Sequence, residues 1–136
     1  MLQETKQGHQ EMKGIIGQLK QYNGCISESK GASEGIATLW NHYIWKHITD
    51  TVSQYWIKVT LESLIDGKRI VIYNIYAPIH YKDKEQCWNS LKADIDEEGN
   101  NNIILDGDLN LILHSNEKRG GCFSHDTYRS QLKTIM

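Results

Sequence analysis

Three polar side chains occupy every second position in the middle of the segment IILDGDLNLIL, residues 103–113. Asp106, Asp108 and Asn110 have apolar neighbours on both sides, although carboxylates are rarely buried unless they are paired or bound to a metal. Carboxylates at the carboxyl end of a strand can hold Mg²⁺ and orient water, and an adjacent amide can hold a phosphate oxygen. One interpretation of the segment is therefore a metal-dependent phosphodiesterase site.

A second interpretation is a calcium-binding loop of the EF-hand type. The D-x-D-x-N pattern that begins at Asp106 is followed by Glu117 at the twelfth position, as in that loop. The sixth position requires glycine but is Leu111, and a bulky residue at positive φ is strained. Gly99 and the asparagines after it also break the helix that should precede the loop. Both features oppose a calcium site.

The third interpretation is purely structural. A strand would end at Asp106, and the sequence DGDLN would form a polar turn, because Asp, Gly and Asn favour turns. On local evidence alone this interpretation is favoured. A metal site therefore needs support from an acidic residue elsewhere in the chain.

The elements before the acidic segment follow from hydrophobic periodicity. Residues 54–64 alternate apolar and polar side chains, which predicts a strand with one buried face. The Asp-Gly pair at 66–67 favours a tight hairpin turn. The return strand, residues 68–76, is apolar on both faces, which is typical of a strand inside a sheet covered on both sides. Pro78 ends that strand because proline cannot donate to the ladder.

Helical spacing of apolar residues predicts helices over residues 10–21, over residues 81–99 and near the end of the sequence. The apolar residues that would form the buried stripes of the last two helices are Cys87 or Trp88, Leu91, Ile95, Tyr128, Leu132 and Ile135. A short strand is predicted over residues 35–40, whereas glycines and serines interrupt residues 21–35. This order of elements predicts a sheet-centred α/β or α+β fold.

The composition limits the classes of function. The 136 residues suffice for one domain, and a net charge of −2 does not favour strong non-specific binding of nucleic acid. The sequence has no apolar run of membrane-spanning length and no signal peptide, so no membrane partner is expected. The three cysteines are scattered, which indicates free thiols and an intracellular, reducing location.

Five short motifs occur in order along the chain: LQETK at 2–6, GASEGIATLW at 31–40, NIYAP at 74–78, GDLN at 107–110 and EKRGG at 117–121. Together they resemble the endonuclease/exonuclease/phosphatase superfamily, and more narrowly the apurinic-type endonuclease domain of LINE-type (non-LTR) retrotransposons. The resemblance implies a two-sheet α/β sandwich flanked by helices, with the site at the strand ends. It also implies Mg²⁺ or Mn²⁺ as the cofactor, DNA as the partner and a nuclear location for a functional enzyme.

The resemblance also assigns roles to single residues. Glu4 would be the metal carboxylate, and Tyr76 would direct its phenol at the scissile phosphate. Asp108 would orient the attacking water, while Asn110 would hold the phosphate. Structural alternatives remain, since Glu4 could be a solvated charge and Tyr76, which shares a strand face with two isoleucines, could be a core tyrosine.

The motif EKRGG would place Lys118 and Arg119 in a loop that faces DNA, although such side chains are individually more often solvated. Two family features are missing from the sequence. Family members begin with a strand that carries a metal-binding asparagine, and they end with an SDH motif whose histidine contacts the phosphate. The letters SHD at 124–126 stand in another order, and His125 is not accepted as the substitute.

These departures lead to the expectation of a single, incomplete domain over residues 1–136. The chain would be a fragment or remnant of a DNA-nicking enzyme with little or no activity alone, because cooperating catalytic groups are strongly non-additive. The alternative is a non-catalytic α/β domain that binds a partner, or a second copy of itself, through unpaired strand edges.

Overall fold

A computed structural model describes residues 9–27, 35–99, 101–111 and 128–135. The chain divides into two compact units, one comprising residues 1–76 and 100–108 and the other residues 77–99 and 109–136. The elements, in chain order, are α1 (His9–Gln18), β1 (Tyr22–Ser27), β2 (Ile36–Asn41), β3 (Trp45–Val52), β4 (Trp56–Ser63), β5 (Arg69–Tyr76), α2 (Tyr81–Glu98), β6 (Asn102–Asp108) and α3 (Arg129–Ile135).

The first unit contains two sheets. Strands β3, β4, β5 and β6 form the larger sheet in that order, and β1 pairs with β2 in a second, antiparallel sheet. The strands β3, β4 and β5 are antiparallel to their neighbours, whereas β6 is parallel to β5. A parallel neighbour requires a long crossover connection, and the stretch that contains α2 supplies it. The predicted α+β fold class with two sheets and flanking helices is confirmed.

The core of the first unit lies where β2 packs on β4. Its buried members are Ile36, Trp40, Ile57, Val59 and Leu61, and the partly buried residues packed against them are Cys25, Trp45, Ile70, Ile72 and Tyr76. The alternation predicted for residues 54–64 is confirmed, because every second residue of β4 is buried. The opposite face of β5 is also buried, at Val71, Tyr73 and Ile75, as predicted for a strand covered on both sides.

The connection between β4 and β5 is longer than the predicted two-residue turn. Of the Asp-Gly pair, only Gly67 has a positive φ, of 68°. Ser63 Oγ accepts a hydrogen bond from the Asp66 backbone N–H at 3.3 Å, and the Asp66 carboxylate accepts one from the Lys68 N–H at 3.3 Å. Hydrogen bonds to the side chains of Ser63 and Asp66 therefore stabilise a loop that is longer than the two-residue turn predicted from the sequence.

In the second unit, α2 confirms the predicted helix and its apolar stripe. Cys87, Trp88, Leu91 and Ile95 are all buried, and the helix ends before Gly99, which has a φ of 63°. Residues with a Cβ rarely adopt such a positive φ, so glycine suits the point where the helix ends. The rings of Tyr81 and Tyr128 lie 5.2 Å apart between centroids. Within the described part of the chain, no helix is long and apolar enough to cross a membrane.

Two strands were not predicted from the sequence. Residues 22–27, where glycine and serine predict an interruption, form β1, and residues 45–52, for which the sequence pattern predicts no element, form β3. A Cβ atom on Gly24 would lie only 2.5 Å from Leu39 Cδ2, so glycine allows β1 to approach β2 closely. Nearly all of β3 is exposed, and its polar residues give no apolar alternation to detect.

Candidate active site

The carboxyl ends of β5 and β6 lie side by side in the first unit. Tyr76 is the last residue of β5 and is the Cα partner of Asp108, the last residue of β6. Partner residues on adjacent parallel strands direct their side chains to the same face of the sheet. Ligand sites of open α/β sheets form outside the carboxyl ends of the strands. Two predicted catalytic residues are therefore neighbours at the edge where such a site would form.

The Tyr76 ring is anchored in the protein core. It is half-buried and packs against the cluster formed by β2 and β4, on the same strand face as Ile70 and Ile72. Its backbone N–H donates a hydrogen bond to the Tyr55 carbonyl at 2.8 Å. Tyr76 is thus packed as expected of a core tyrosine. The same packing would hold its ring in a fixed position if the phenol also contacts a phosphate at the strand end.

The acidic residues of β6 differ in their local contacts. The strand continues to Asp108, so the expectation that it would end at Asp106 was wrong. The carboxylate of Asp106 accepts a hydrogen bond from the Gly107 N–H at 2.9 Å. This contact stabilises the backbone of β6 at that point. Gly107 has a φ of 129°, a value that residues with a Cβ rarely adopt. Both carboxylates are exposed, but only Asp108 stands at the strand end beside Tyr76.

Asn110 belongs to the second unit, where two hydrogen bonds fix it. Its side-chain Nδ2 donates to the Ala77 carbonyl at 2.5 Å, and its own carbonyl accepts from Lys84 Nζ at 2.7 Å. Its φ of 46° lies in the left-handed region, which asparagine tolerates better than most residues. The amide therefore has a defined orientation, as a group that binds phosphate would require.

The calcium-loop interpretation does not agree with the structure. An EF-hand loop follows a helix, but β6 leads into the DGDLN sequence. The pairing of Asp106 and Asp108 with residues of β5 keeps both acids in an extended strand and not in a coordinating loop.

Several predicted site residues lie outside the described part of the chain. These are Glu4, which the resemblance makes the metal ligand, the DNA-contact candidates Lys118 and Arg119, and His125. Their assigned roles stay predictions.

The described residues hold no clustered set of metal ligands. Among them, no three His, Cys, Asp or Glu side chains lie close enough together to hold an ion. Mg²⁺ commonly uses only one or two carboxylates and completes its shell with water and substrate phosphate. The exposed carboxylate of Asp108 fits such a site as one of its oxygen donors.

Neither described cysteine provides a nucleophile near neutral pH. Burial, together with the nearby Asp50 carboxylate, raises the pKa of Cys25 to about 12, and burial alone raises the pKa of Cys87 to about 12. Because the thiolate is the reactive form, both thiols are inert in the folded state.

Sequence reasoning missed two polar residues that form hydrogen bonds with, or close to, predicted site residues. Asn74, of the motif NIYAP, is fully buried and donates to the Ala37 carbonyl at 3.1 Å and to Thr38 Oγ1 at 3.2 Å. It thereby joins β5 to β2 two residues before Tyr76. The other is Lys84, whose contact with Asn110 spans 26 positions of sequence and leaves no local pattern to detect.

No protein-family model matches the sequence, and no curated protein is significantly similar to it. Solved structures do share its fold. The catalytic domain of human Nocturnin with bound sulfate matches with a TM-score of 0.58 and 16% identity, over 82% of this chain and 50% of that one. A humanized D. rerio TDP2 matches with a TM-score of 0.63 and 13% identity, over 82% and 51%.

The 3′ phosphatase NExo from Neisseria, bound to a product DNA hairpin, matches with a TM-score of 0.69 and 16% identity, over 98% of this chain and 58% of that one. This chain thus spans between 50% and 58% of the length of these three structures. They are members of the endonuclease/exonuclease/phosphatase superfamily. At identities this low the likeness establishes the fold alone, and the described residues have the fold of that superfamily.

Proposed function

We propose that this chain is part of a DNA endonuclease of the type found in LINE retrotransposons, which hydrolyses a phosphodiester bond to nick its target. The observation that carries the proposal is the register pairing of Tyr76 with Asp108 at the carboxyl ends of β5 and β6. The five ordered motifs support the LINE type. The DNA hairpin bound to NExo, a protein of similar fold, supports DNA as the substrate.

The proposed roles follow the chemistry of each side chain. Asp108 would accept a proton from the attacking water and orient it, and Tyr76 would donate its phenolic hydrogen to a phosphate oxygen. Asn110 would donate from its amide to a phosphate oxygen, the role that the motif GDLN implies. Lys118 and Arg119 would contact the DNA backbone nearby.

Glu4 would hold Mg²⁺ or Mn²⁺, with Asp108 as a further oxygen donor. When bound, the ion would neutralise charge on the phosphate and lower the pKa of a coordinated water. Location in the nucleus, where the target DNA lies, is part of the same proposal.

We further propose that these 136 residues act weakly on their own, as a fragment or remnant of the enzyme. The SDH motif, whose histidine contacts the scissile phosphate in the family that the chain resembles, is not among them. Groups that act as a unit lose most of the rate when one is absent. The expected activity is therefore slow nicking that requires excess protein.

A plasmid-nicking assay with Mg²⁺ and excess protein tests the proposal. We expect slow conversion of supercoiled to open-circular DNA, which Asp108→Ala reduces at least about a hundredfold, as for loss of a general base. Asp106→Ala is the matched control, because it also removes an exposed carboxylate from the same face of β6. Equal nicking by both variants would assign the activity to a contaminant and reject the site, whereas fast multiple-turnover nicking would contradict the weak-activity proposal.

A non-catalytic role has one observation in its favour. Within the described residues, β6 is the last strand of its sheet, and Ile104 on its open face is 45% exposed. Such an edge can pair with another chain. Sedimentation that shifts with protein concentration, together with no heat on titrating Mg²⁺, would favour partner binding or self-association over hydrolysis.

A further inference from the structure

We propose that Lys84 is a positioning residue for phosphate binding, because it holds Asn110 in the conformation that presents its amide. This inference rests on the proposed function of Asn110. It adds a residue that the motifs do not mark, since Lys84 lies in α2 and outside all five of them.

The geometry around Asn110 consists of contacts at both of its ends. Lys84 Nζ donates to its backbone carbonyl at 2.7 Å, and its side-chain Nδ2 donates to the Ala77 carbonyl at 2.5 Å. The lysine contact fixes the peptide plane after Asn110, and the Ala77 contact fixes the amide plane. Together they determine where the side chain points.

The backbone of Asn110 needs such support. Its φ of 46° is in the left-handed region, which non-glycine residues adopt at a cost and retain only when their surroundings hold them there. A charged donor forms a stronger hydrogen bond than a neutral one, so an ammonium group on the carbonyl is well suited to this task.

The location of Lys84 is unfavourable unless the contact has a purpose. It is the fourth residue of α2, near the positive end of the helix dipole, where cations are disfavoured. Its side chain is half-buried, so its charge has also lost part of its hydration. Lys82, two positions earlier on the same helix, also lies near the positive end of the dipole, but it is exposed and its charge stays hydrated. A residue that violates local rules at a candidate site suggests a functional role.

Lys84→Met and Lys82→Met form the matched pair that tests the inference. Each removes one positive charge from the start of α2 and keeps an unbranched stem, but only the first removes the contact with Asn110. We expect the affinity for a short labelled DNA duplex, measured by fluorescence anisotropy at moderate salt, to fall about tenfold more in Lys84→Met than in Lys82→Met. Lys84→Arg keeps a charged donor and should restore most of the affinity.

A second readout separates positioning from general stability. In ¹⁵N-resolved NMR spectra, the Asn110 side-chain NH₂ resonances should move in Lys84→Met and stay in place in Lys82→Met. Lys84→Met should have the lower Tm, because it loses a charge-assisted hydrogen bond. A merely structural lysine would lower the Tm but leave the DNA affinity of the folded protein unchanged, so the affinity and the NH₂ resonances are the readouts that identify positioning. If Lys84→Met does not fold, Lys84→Gln, with a neutral donor, takes its place.

The two readouts fail independently. Equal affinities and unmoved NH₂ resonances in both methionine variants would overturn the role of Lys84. Absence of any DNA binding by the wild type would instead reject the proposed function, and the NMR spectra would still decide whether Lys84 positions the amide.

Discussion

The neighbouring strands β5 and β6 share a register but have opposite environments. On β5, Val71, Tyr73 and Ile75 are fully buried, and the other face packs on the core of the first unit. On β6, residues 102, 104, 106 and 108 are all exposed. The sheet therefore changes from a strand buried on both faces to a largely exposed strand within one strand spacing. A strand buried on both faces can supply rigidity, and the open strand beside it can present polar groups to a substrate.

The largest expected effect tests the packing half of this comparison. Tyr73→Ala removes a fully buried ring that meets Trp56 edge-on, with centroids 5.6 Å apart. The free energy of unfolding should fall by about 3–5 kcal/mol, the usual cost of emptying a large aromatic site. Urea titration followed by tryptophan fluorescence measures it.

The control for Tyr73→Ala is Ile104→Ala on β6. Because Ile104 is 45% exposed, its truncation should change the free energy of unfolding by less than about 1 kcal/mol. Equal losses for the two variants would show that β6 is packed as tightly as β5, and the comparison would then be invalid.

Much of β4, β5 and α2 was predictable because each has a strong apolar period. The alternation in β4 and the stripe Cys87, Trp88, Leu91 and Ile95 identify buried faces directly. By contrast, β3 is almost wholly exposed, and Gly24 lies within β1 although glycine usually interrupts strands. Hydrophobic periodicity shows which face of an element is buried. It therefore does not reveal strands that are exposed on both faces or glycines that lie against a neighbouring side chain.

The candidate site was predictable in composition but not in geometry. Tyr76 and Asp108 were identified by their motifs, yet no local pattern fixes which residue of β6 lies opposite Tyr76 in a parallel pair. The end of β6 was placed two residues too early, because Asp106 and Gly107 favour turns. Contacts between distant segments, such as Lys84 with Asn110, depend on tertiary packing.

A second prediction sharpens the comparison at a single register pair. Asn74 on β5 is the Cα partner of Asp106 on β6, yet Asn74 is fully buried and Asp106 is exposed. Asn74→Ala would leave the Ala37 carbonyl and Thr38 Oγ1 without its donor, at a cost of about 2–3 kcal/mol in unfolding free energy.

Asp106→Ala should change the same quantity by no more than about 0.5 kcal/mol, as surface substitutions usually do. Chemical denaturation of both variants provides the check. A loss in Asp106→Ala as large as that in Asn74→Ala would mean that Asp106 stabilises the fold and is unsuitable as the control for Asp108→Ala.

The smallest expected effect concerns the backbone of the open strand. Gly107→Ala introduces a Cβ at a φ of 129°, which should cost about 1–2 kcal/mol of stability or shift the local backbone to relieve the strain.

Gly67→Ala is the control, because its φ of 68° is also positive but it lies in the loop between β4 and β5. Both variants should lose similar stability, measured as the shift in Tm. Only Gly107→Ala should also weaken DNA nicking, because the strain lies next to Asp108. If the two variants nick DNA equally, the conformation of Gly107 affects the stability of β6 but not the position of the Asp108 carboxylate.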